Sequence, residues 1–170
     1  MFGLFLNKGG MAIKTLSILG ATGSIGTQAL DVAARYPDRF QIAALTANTQ
    51  KDKLFALARR FRPRLCALTE EIPVSEIPSD LRGIDWVFGE GALEAAASVP
   101  CDDVLVSVVG MAGLGSVLTA LSLGRRVLLA NKEALVAGGQ LVMDAARRAG
   151  EKRLIPVDSE HSAIYQCLEA

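Results

Sequence analysis

Four polar residues stand directly behind an apolar stretch near the end of the chain, in the run "LIPVDSEH" (residues 154–161). They are Asp158, Ser159, Glu160 and His161, the last being the one histidine of the sequence. In an extended segment the carboxylates of Asp158 and Glu160 point to the same side and can converge on a hard cation such as Mg²⁺ or Mn²⁺. Alternatively, Ser159 caps a following helix with Glu160 in its first turn. For His161 we favour a place beside the cap over a role as a base.

A second polar cluster, Asn131-Lys132-Glu133, follows the apolar run "VLLA". Open α/β sheets bind their ligands outside the carboxyl ends of their strands, which is where this cluster would lie. The simpler interpretation is a helix start, with Asn131 as the N-cap and Glu133 in the first turn. That interpretation leaves Lys132 unexplained, because a positive charge is unfavourable at a helix N-terminus. An anionic ligand nearby would account for it, and we therefore favour a binding role.

The heptapeptide "GATGSIG", which begins at Gly20, has a glycine at every third position. Such glycines allow a sharp turn and a close approach of the backbone to a pyrophosphate, while the following helix directs its first N–H groups at the phosphate charge. Thr22 and Ser24 can add hydroxyl donors. The loop follows a predicted strand and opens a predicted helix, so we favour a bound dinucleotide over a purely structural turn. A P-loop is disfavoured because no Gly-Lys-Ser/Thr follows.

The end of the second predicted strand bears on which dinucleotide binds. An acidic residue about twenty positions after the glycine loop would bind the ribose 2′-OH of NAD. Here the strand runs into Asn48-Thr49-Gln50, and the first carboxylate is Asp52. This favours NADP, whose 2′-phosphate a carboxylate would repel. Lys51 and Lys53 can neutralise that phosphate, although both also suit a solvated helix face.

The elements that must position these clusters alternate between strand and helix, punctuated by Gly and Pro. Apolar runs predict strands at 15–20, 41–47, 64–69, 103–110, 125–131 and 153–158. Amphipathic or capped segments predict helices at 24–36, 51–61, 91–98, 113–124 and 132–149, the last two ended by Gly124 and Gly150. Residues 70–91 are the least regular part. Alternation of this kind predicts an α/β fold, a Rossmann-like doubly wound parallel sheet followed by the start of a second, catalytic domain. We place an N-terminal extension at 1–11, the nucleotide-binding domain at 12–150 and the beginning of the catalytic domain at 151–170.

Composition excludes several classes of protein. The 170 residues carry 18 basic and 18 acidic side chains, so no basic face for nucleic acid is indicated. The cysteines, Cys66, Cys101 and Cys167, form no zinc or disulfide pattern and suit a reducing, cytoplasmic location. The run "MFGLFLNKGG" at the start lacks the features of a signal peptide, so Met11 is a candidate start. Because no run is long enough to span a membrane, we expect a soluble protein without a membrane partner.

Three blocks together make the sequence recognisable: "ILGATGSIGTQALDV", "LLANKEALVAGG" and "PVDSEHSAIYQCL". In this order and at these separations they resemble the 1-deoxy-D-xylulose 5-phosphate reductoisomerase family over residues 15–168. The second and third blocks are far more specific than a glycine loop. The resemblance implies an NADPH- and divalent-metal-dependent enzyme of the non-mevalonate route to isoprenoid precursors. Such an enzyme rearranges its phosphorylated sugar substrate, 1-deoxy-D-xylulose 5-phosphate, and reduces the product to 2-C-methyl-D-erythritol 4-phosphate.

The same resemblance implies roles for individual residues and a homodimeric parent protein. The residues implied to contact NADPH are Thr22, Gly23, Ser24, Ile25, Asn131 and Glu133. The residues implied to contact substrate are Lys132, Ser159 and Glu160, and those implied to bind the metal are Asp158 and Glu160. A metal chelated by ketone and hydroxyl oxygens of the substrate would act as a Lewis acid, with Lys132 adding positive charge beside those oxygens.

Two departures from the family pattern qualify this picture. Members often have a Gly-Lys-Asn-like stretch where this chain reads Asn48-Thr49-Gln50. They also run to twice this length or more, with a third metal carboxylate, a mobile loop and a helical domain beyond the last residue here. We therefore expect this chain to be the N-terminal portion of such an enzyme and to be inactive alone. The alternative is a non-catalytic NADP-binding or sensor module, and a dehydrogenase of the aspartate-semialdehyde class is disfavoured because no cysteine stands in a recognisable catalytic setting.

Overall fold

The structure, a computed structural model, describes residues 12–169 and, at positions 132, 134, 160, 168 and 169, the backbone only. The predicted N-terminal extension, residues 1–11, lies outside the described residues. The strands are β1 (Lys14–Leu19), β2 (Phe40–Ala47), β3 (Leu65–Leu68), β4 (Asp85–Phe88), β5 (Asp103–Val106), β6 (Arg126–Leu129) and β7 (Leu154–Pro156). The helices are α1 (Ser24–Arg35), α2 (Lys51–Phe61), α3 (Ala92–Ser98), α4 (Leu114–Ser122), α5 (Lys132–Ala149) and α6 (Ser159–Glu169).

All seven described strands form one parallel sheet in the order β4-β3-β2-β1-β5-β6-β7. The order reverses between β1 and β5, which are neighbours in the sheet although β1 ends at Leu19 and β5 begins only at Asp103. In open α/β sheets this switch point leaves a crevice outside the carboxyl ends of the strands, where ligands bind. The predicted Rossmann-like doubly wound sheet is thereby confirmed. β7 extends the same sheet, and the domain limits stay a prediction.

The sheet is buried on both faces because helices cover each of them. Neighbouring residues of β1 show this, since Ile18 packs into the cluster beneath α1 and α2 and Leu19 into the cluster beneath α3, α4 and α5. Both side chains are fully buried, as expected for a strand whose alternate residues face two covered sides. This explains why β5 is apolar without interruption from Val104 to Val106.

The five predicted helices are present, and α2 and α5 have the predicted limits. Two glycines end their helices as predicted: Gly124 follows α4 with φ +68° and Gly150 follows α5 with φ +114°. Among residues 12–169, the structure contains no helix of the length and apolarity that crossing a bilayer requires.

Two predictions about strands were wrong. β5 ends at Val106, whereas the apolar run predicted a strand to 110. Its partners end at the same level, with Leu19 and Leu129 opposite Val106, so no ladder remains for the next residues and the chain turns into a short 3-10 helix. The second error is that no strand was predicted within residues 70–91, which contain the edge strand β4.

Candidate functional site

The glycine loop after β1 is folded so tightly that two of its positions have no room for a side chain. A Cβ on Gly26 would lie 2.3 Å from the carbonyl oxygen of Gly20 and 2.8 Å from Cα of Ala21. Gly20 has φ +86°, and a Cβ there would lie 2.9 Å from the carbonyl oxygen of Ser107. These contacts bring the start of α1 directly onto the loop. Because the first turn of a helix presents N–H groups without intrahelical acceptors, the loop forms a candidate anion site.

Two hydroxyls, one buried and one half-buried, tie this loop to both neighbouring strands. Thr46 on β2 is fully buried, and its Oγ1 accepts a hydrogen bond from the N–H of Gly20 at 3.0 Å. Its carbonyl oxygen accepts a second bond, from the N–H of Ala21 at 2.8 Å. On the other side, Ser107 Oγ donates to the carbonyl oxygen of Leu19 at 2.7 Å. The tip of the crevice is therefore fixed from β2 and from β5, and sequence reasoning missed both residues.

The residues of the loop predicted to contact a cofactor lie at its mouth. Gly23, Ser24 and Ile25 are exposed, and Thr22 is half-buried. Ser24 is the first residue of α1, whose first turn contains no acidic residue. A phosphate at this helix end would meet no competing carboxylate from the same turn.

Asn131 lies in the next part of the same edge, behind β6. Its side chain is 2% exposed, and Nδ2 donates to the carbonyl oxygens of Val108 and Gly110 at 2.7 Å each. Asn131 thus holds the loop between β5 and α4, a contact that no spacing rule in the sequence indicated. The exposed Val109 lies between the two bonded carbonyls.

The other two members of the second cluster are less fully placed. α5 begins at Lys132, and Glu133 is exposed in its first turn, so this cluster starts a helix at the carboxyl end of a strand. The side chain of Lys132 is not described. Both interpretations of the cluster, as a helix start and as a binding site, are compatible with this position.

The end of β2 shows which groups surround a candidate 2′-phosphate site. Asn48 Oδ1 accepts a hydrogen bond from Thr69 Oγ1 at 2.6 Å. Lys51 forms an ion pair with Glu76, which raises the pKa of the Lys51 ammonium through the hydrogen bond between them. Lys53 is exposed. Of the two lysines considered for phosphate neutralisation, one therefore already has a carboxylate partner.

The stretch behind β7 is folded differently from the extended segment assumed in the metal argument. α6 begins at Ser159, and Asp158 occupies the position before it. Asp158 Oδ1 accepts a hydrogen bond from the backbone N–H of His161 at 2.9 Å, as an N-cap residue does. The cap is therefore Asp158, and the expectation that Ser159 caps the helix was wrong. Alternation no longer brings the carboxylates of Asp158 and Glu160 to one side.

The ring of His161 also contacts Asp158, with Nδ1 and Oδ1 2.8 Å apart. The two bonds from His161 lower the pKa of the Asp158 carboxyl, the backbone bond being the larger cause. Asp158 is thus an ionised carboxylate held in a fixed direction at the carboxyl edge of the sheet. Ser159 is exposed, and the side chain of Glu160 is not described. Among the described side chains, no three His, Cys, Asp or Glu residues lie together as a metal site would require.

The candidate groups follow four adjacent strands on one edge. Gly20 follows β1, Ser107 follows β5, Asn131 follows β6 and Asp158 lies behind β7. Neighbouring strands lie about 4.8 Å apart, so β1 and β7 are separated by roughly 14 Å. The candidate phosphate site and the candidate metal ligand therefore lie at opposite ends of this row of four groups.

Comparison with known proteins shows which family this chain resembles. The sequence model of the 1-deoxy-D-xylulose 5-phosphate reductoisomerase family matches residues 16–139. The reductoisomerase of Ralstonia nicotianae is 52% identical over 158 residues, which are 90% of this chain and 40% of that protein. This chain spans about 40% of the length of the curated relatives it matches.

Solved structures agree with the sequence match. A crystal structure of DOX-P reductoisomerase in complex with NADPH, fosmidomycin and magnesium superimposes with a TM-score of 0.84 at 39% identity, over 91% of this chain and 39% of that one. The Zymomonas mobilis enzyme in complex with NADPH gives 0.80 at 40% identity, over 91% and 41%. The chain therefore belongs to the 1-deoxy-D-xylulose 5-phosphate reductoisomerase family, of which it spans the N-terminal portion.

Proposed function

We propose that this chain forms the NADPH-binding part, with the first metal ligands, of an enzyme that converts 1-deoxy-D-xylulose 5-phosphate to 2-C-methyl-D-erythritol 4-phosphate. The observation that carries the proposal is the closed glycine loop at the switch point of a sheet in a member of this family. Relatives bind NADPH and magnesium, according to the complexes described above.

The fit of the chain to NADPH rests on the glycine loop. A Cβ at Gly26 would overlap the carbonyl oxygen of Gly20, and the helix that follows has no acidic residue in its first turn. Both features suit a diphosphate lying against backbone N–H groups. Residues Thr22 to Ile25 would contact the cofactor at the loop, and Asn131 and Glu133 would contribute from the β6 side.

The preference for NADPH over NADH depends on the end of β2. No carboxylate stands in the stretch Asn48-Thr49-Gln50, and Asn48 is bonded to Thr69. Lys51 is paired with Glu76, which leaves Lys53 as the better placed of the two lysines to meet a 2′-phosphate. NADPH is therefore the proposed nucleotide.

The metal side would be built on Asp158 and Glu160. Asp158 suits Mg²⁺ or Mn²⁺ because it is a carboxylate whose pKa is lowered and whose direction is fixed by His161. The cation would supply Lewis-acid stabilisation of oxyanion charge on the substrate. Lys132 would bring positive charge to the same oxygens, and Ser159 and Glu160 would contact the substrate from the start of α6.

The remaining parts of the proposal concern the whole protein. The chain spans two fifths of its relatives, so we expect activity from the full-length enzyme, a cytoplasmic homodimer, and none from this portion alone. The nucleotide-binding domain would cover residues 12–150 and the catalytic domain would begin at 151.

The test uses Asp158→Asn in a full-length protein that contains this chain. NADPH oxidation with 1-deoxy-D-xylulose 5-phosphate and Mg²⁺ should be abolished, while the affinity for NADPH stays nearly unchanged. Equal loss of NADPH binding would make Asp158 a structural residue and reject the metal assignment. Turnover by the 170-residue chain would reject its proposed inactivity. A full-length protein that binds NADPH but never oxidises it would favour the alternative, a non-catalytic nucleotide-binding module.

A further inference from the structure

The loop between β5 and α4 is held in its shape by one side chain. Asn131 Nδ2 donates one hydrogen bond to the carbonyl oxygen of Val108 and one to that of Gly110, both at 2.7 Å. The two acceptors lie on either side of Val109, whose side chain is 89% exposed. A planar amide that satisfies both carbonyls at once fixes the peptide planes around Val109 and so directs this side chain outward.

The two hydrogen bonds from Asn131 form a clamp on the loop, and close packing around this clamp adds to its rigidity. A Cβ on Gly113, at the far end of the loop, would lie 2.8 Å from Cγ2 of Val108 and 3.2 Å from Nδ2 of Asn131. Asn131 itself is almost completely buried. Removal of its amide would leave two part-buried carbonyl oxygens without their donor, and the loop would have to move to find them new partners.

The position of this loop in the sheet makes its shape important for binding. β5 lies between β1 and β6, so the β5–α4 loop stands between the glycine loop and Asn131. Its first residue, Ser107, is bonded to the end of β1 through Leu19. The loop is therefore one wall of the switch-point crevice, and Asn131 supports that wall from the side away from the glycine loop. Exposed Val109 and Met111 give the wall an apolar surface.

We propose that Asn131 is a positioning residue that acts on the nucleotide through the β5–α4 loop. It holds Val109 and Met111 in place as an apolar wall against which a flat ring of the nucleotide lies. This rests on the proposed function, because NADPH is the nucleotide in question. Because Nδ2 of Asn131 donates to the carbonyl oxygens of Val108 and Gly110, this amide group acts on NADPH affinity through the loop.

The first experiment is a double-mutant cycle on the 170-residue chain. NADPH affinity is measured by titrating the chain into NADPH and following the fluorescence of the nucleotide. Asn131→Ala should weaken binding about tenfold, because misplacement of a binding wall is costly. Val109→Ala should weaken it about threefold through lost apolar contact. The double variant should bind like Asn131→Ala alone, since a displaced loop no longer presents Val109. Val74→Ala, at an exposed valine distant in sequence from the crevice residues, is the matched control and should bind like the unmodified chain.

Effects of Asn131→Ala and Val109→Ala that multiply would overturn the proposal, because Asn131 would then act independently of the loop. Should Asn131→Ala fail to fold, Gly113→Ala crowds Val108 against the same amide and replaces it in the cycle with the same expectation.

A second measurement separates this proposal from the proposed function. In the nucleotide-free chain, the heteronuclear ¹H–¹⁵N NOE of residues 108–111 should match that of the helices and should fall in Asn131→Ala. An unchanged NOE would refute the clamp even if NADPH binds. Failure of the unmodified chain to bind NADPH would refute the proposed function, and the NOE would still decide the clamp.

Discussion

Asp158 Oδ1 accepts two hydrogen bonds from His161, one from its backbone N–H at 2.9 Å and one involving its ring Nδ1 at 2.8 Å. The first caps α6, and the second orients the carboxylate. One residue thus starts a helix and presents a charge at the carboxyl edge of the sheet. The cap and the proposed metal ligand are therefore compatible functions of the same side chain.

Substitutions at Asp158 should separate the cap from the charge. Asp158→Ala removes both and should lower the free energy of unfolding by about 1 kcal/mol, as expected for loss of an N-cap. Asp158→Asn keeps an acceptor for the N–H of His161 and should cost less than half as much. Urea denaturation measures both values. Equal losses would show that the carboxylate charge, and not the cap geometry, carries the stabilisation.

The stability that Asp158 contributes should depend on pH in a defined direction. Its pKa is lowered in the folded chain, chiefly by the backbone hydrogen bond from His161. The contribution is therefore complete above the unfolded value of roughly 4 and is lost as the pH falls through the lower folded value. Urea midpoints at pH 6 and at progressively lower pH should converge for the unmodified chain and Asp158→Ala. Curves that stay parallel to the lowest pH would contradict this.

Thr46→Val should loosen the glycine loop while keeping the shape of the core. The hydroxyl of Thr46 accepts the N–H of Gly20 inside a fully buried site, so the variant leaves that donor unpaired. We expect a loss of about 1–2 kcal/mol in unfolding free energy together with weaker NADPH binding. Thr46→Ser keeps the hydroxyl and is the matched control, with NADPH affinity close to that of the unmodified chain. Comparable binding by the valine and serine variants would count against the tether.

The amino edge of the sheet offers a variant that should affect stability alone. Asp103 is 6% exposed and pairs with Arg126 through two contacts of 2.6 Å. Arg126→Met leaves this carboxylate without its main partner and should lower the free energy of unfolding by about 2 kcal/mol. The loss is limited because Lys14 lies near Asp103 and because Arg126 is itself partly exposed. NADPH affinity, measured well below the unfolding temperature, should not change because the pair lies at the opposite edge from the crevice.

The thiols should differ sharply in reactivity. Burial raises the pKa of the Cys66 thiol to about 12, and Cys101 is also buried, whereas Cys167 is exposed. A thiol reagent such as DTNB should modify Cys167 quickly in the native chain and the other two only after unfolding. Rapid native modification of Cys66, identified by mass spectrometry, would mean that β3 opens more readily than its packing indicates.

The sheet was predictable from sequence wherever periodicity and punctuation agreed. The run before Gly20 and the helix stops at Gly124 and Gly150 were local signals, and all three hold. β4 was missed because it has four residues, lies at the sheet edge and is flanked by prolines and glycines. Its Trp86 and Phe88 lie on one face of the strand, and their rings stack with centroids 6.1 Å apart.

The candidate site was predictable in its composition and less so in its geometry. The glycine loop and the two polar clusters were found because each follows an apolar strand. The bonds from Asn131 to the β5–α4 loop and from Gly20 to Thr46 join residues more than twenty positions apart, so spacing rules could not indicate them. Asp158 replaced Ser159 as the cap because the helix starts one residue earlier than the sequence suggested.

Titration of the 170-residue chain with NADPH and with NADH tests whether the glycine loop at the switch point binds NADPH. We predict saturable binding that favours NADPH and falls at least about tenfold in Gly26→Ala, whose Cβ would lie 2.3 Å from the carbonyl oxygen of Gly20. Gly83→Ala, where a Cβ meets nothing within 4 Å, should bind like the unmodified chain. Absence of NADPH binding by the folded chain, or equal binding by the Gly26→Ala and Gly83→Ala variants, would show that the glycine loop is not the NADPH site.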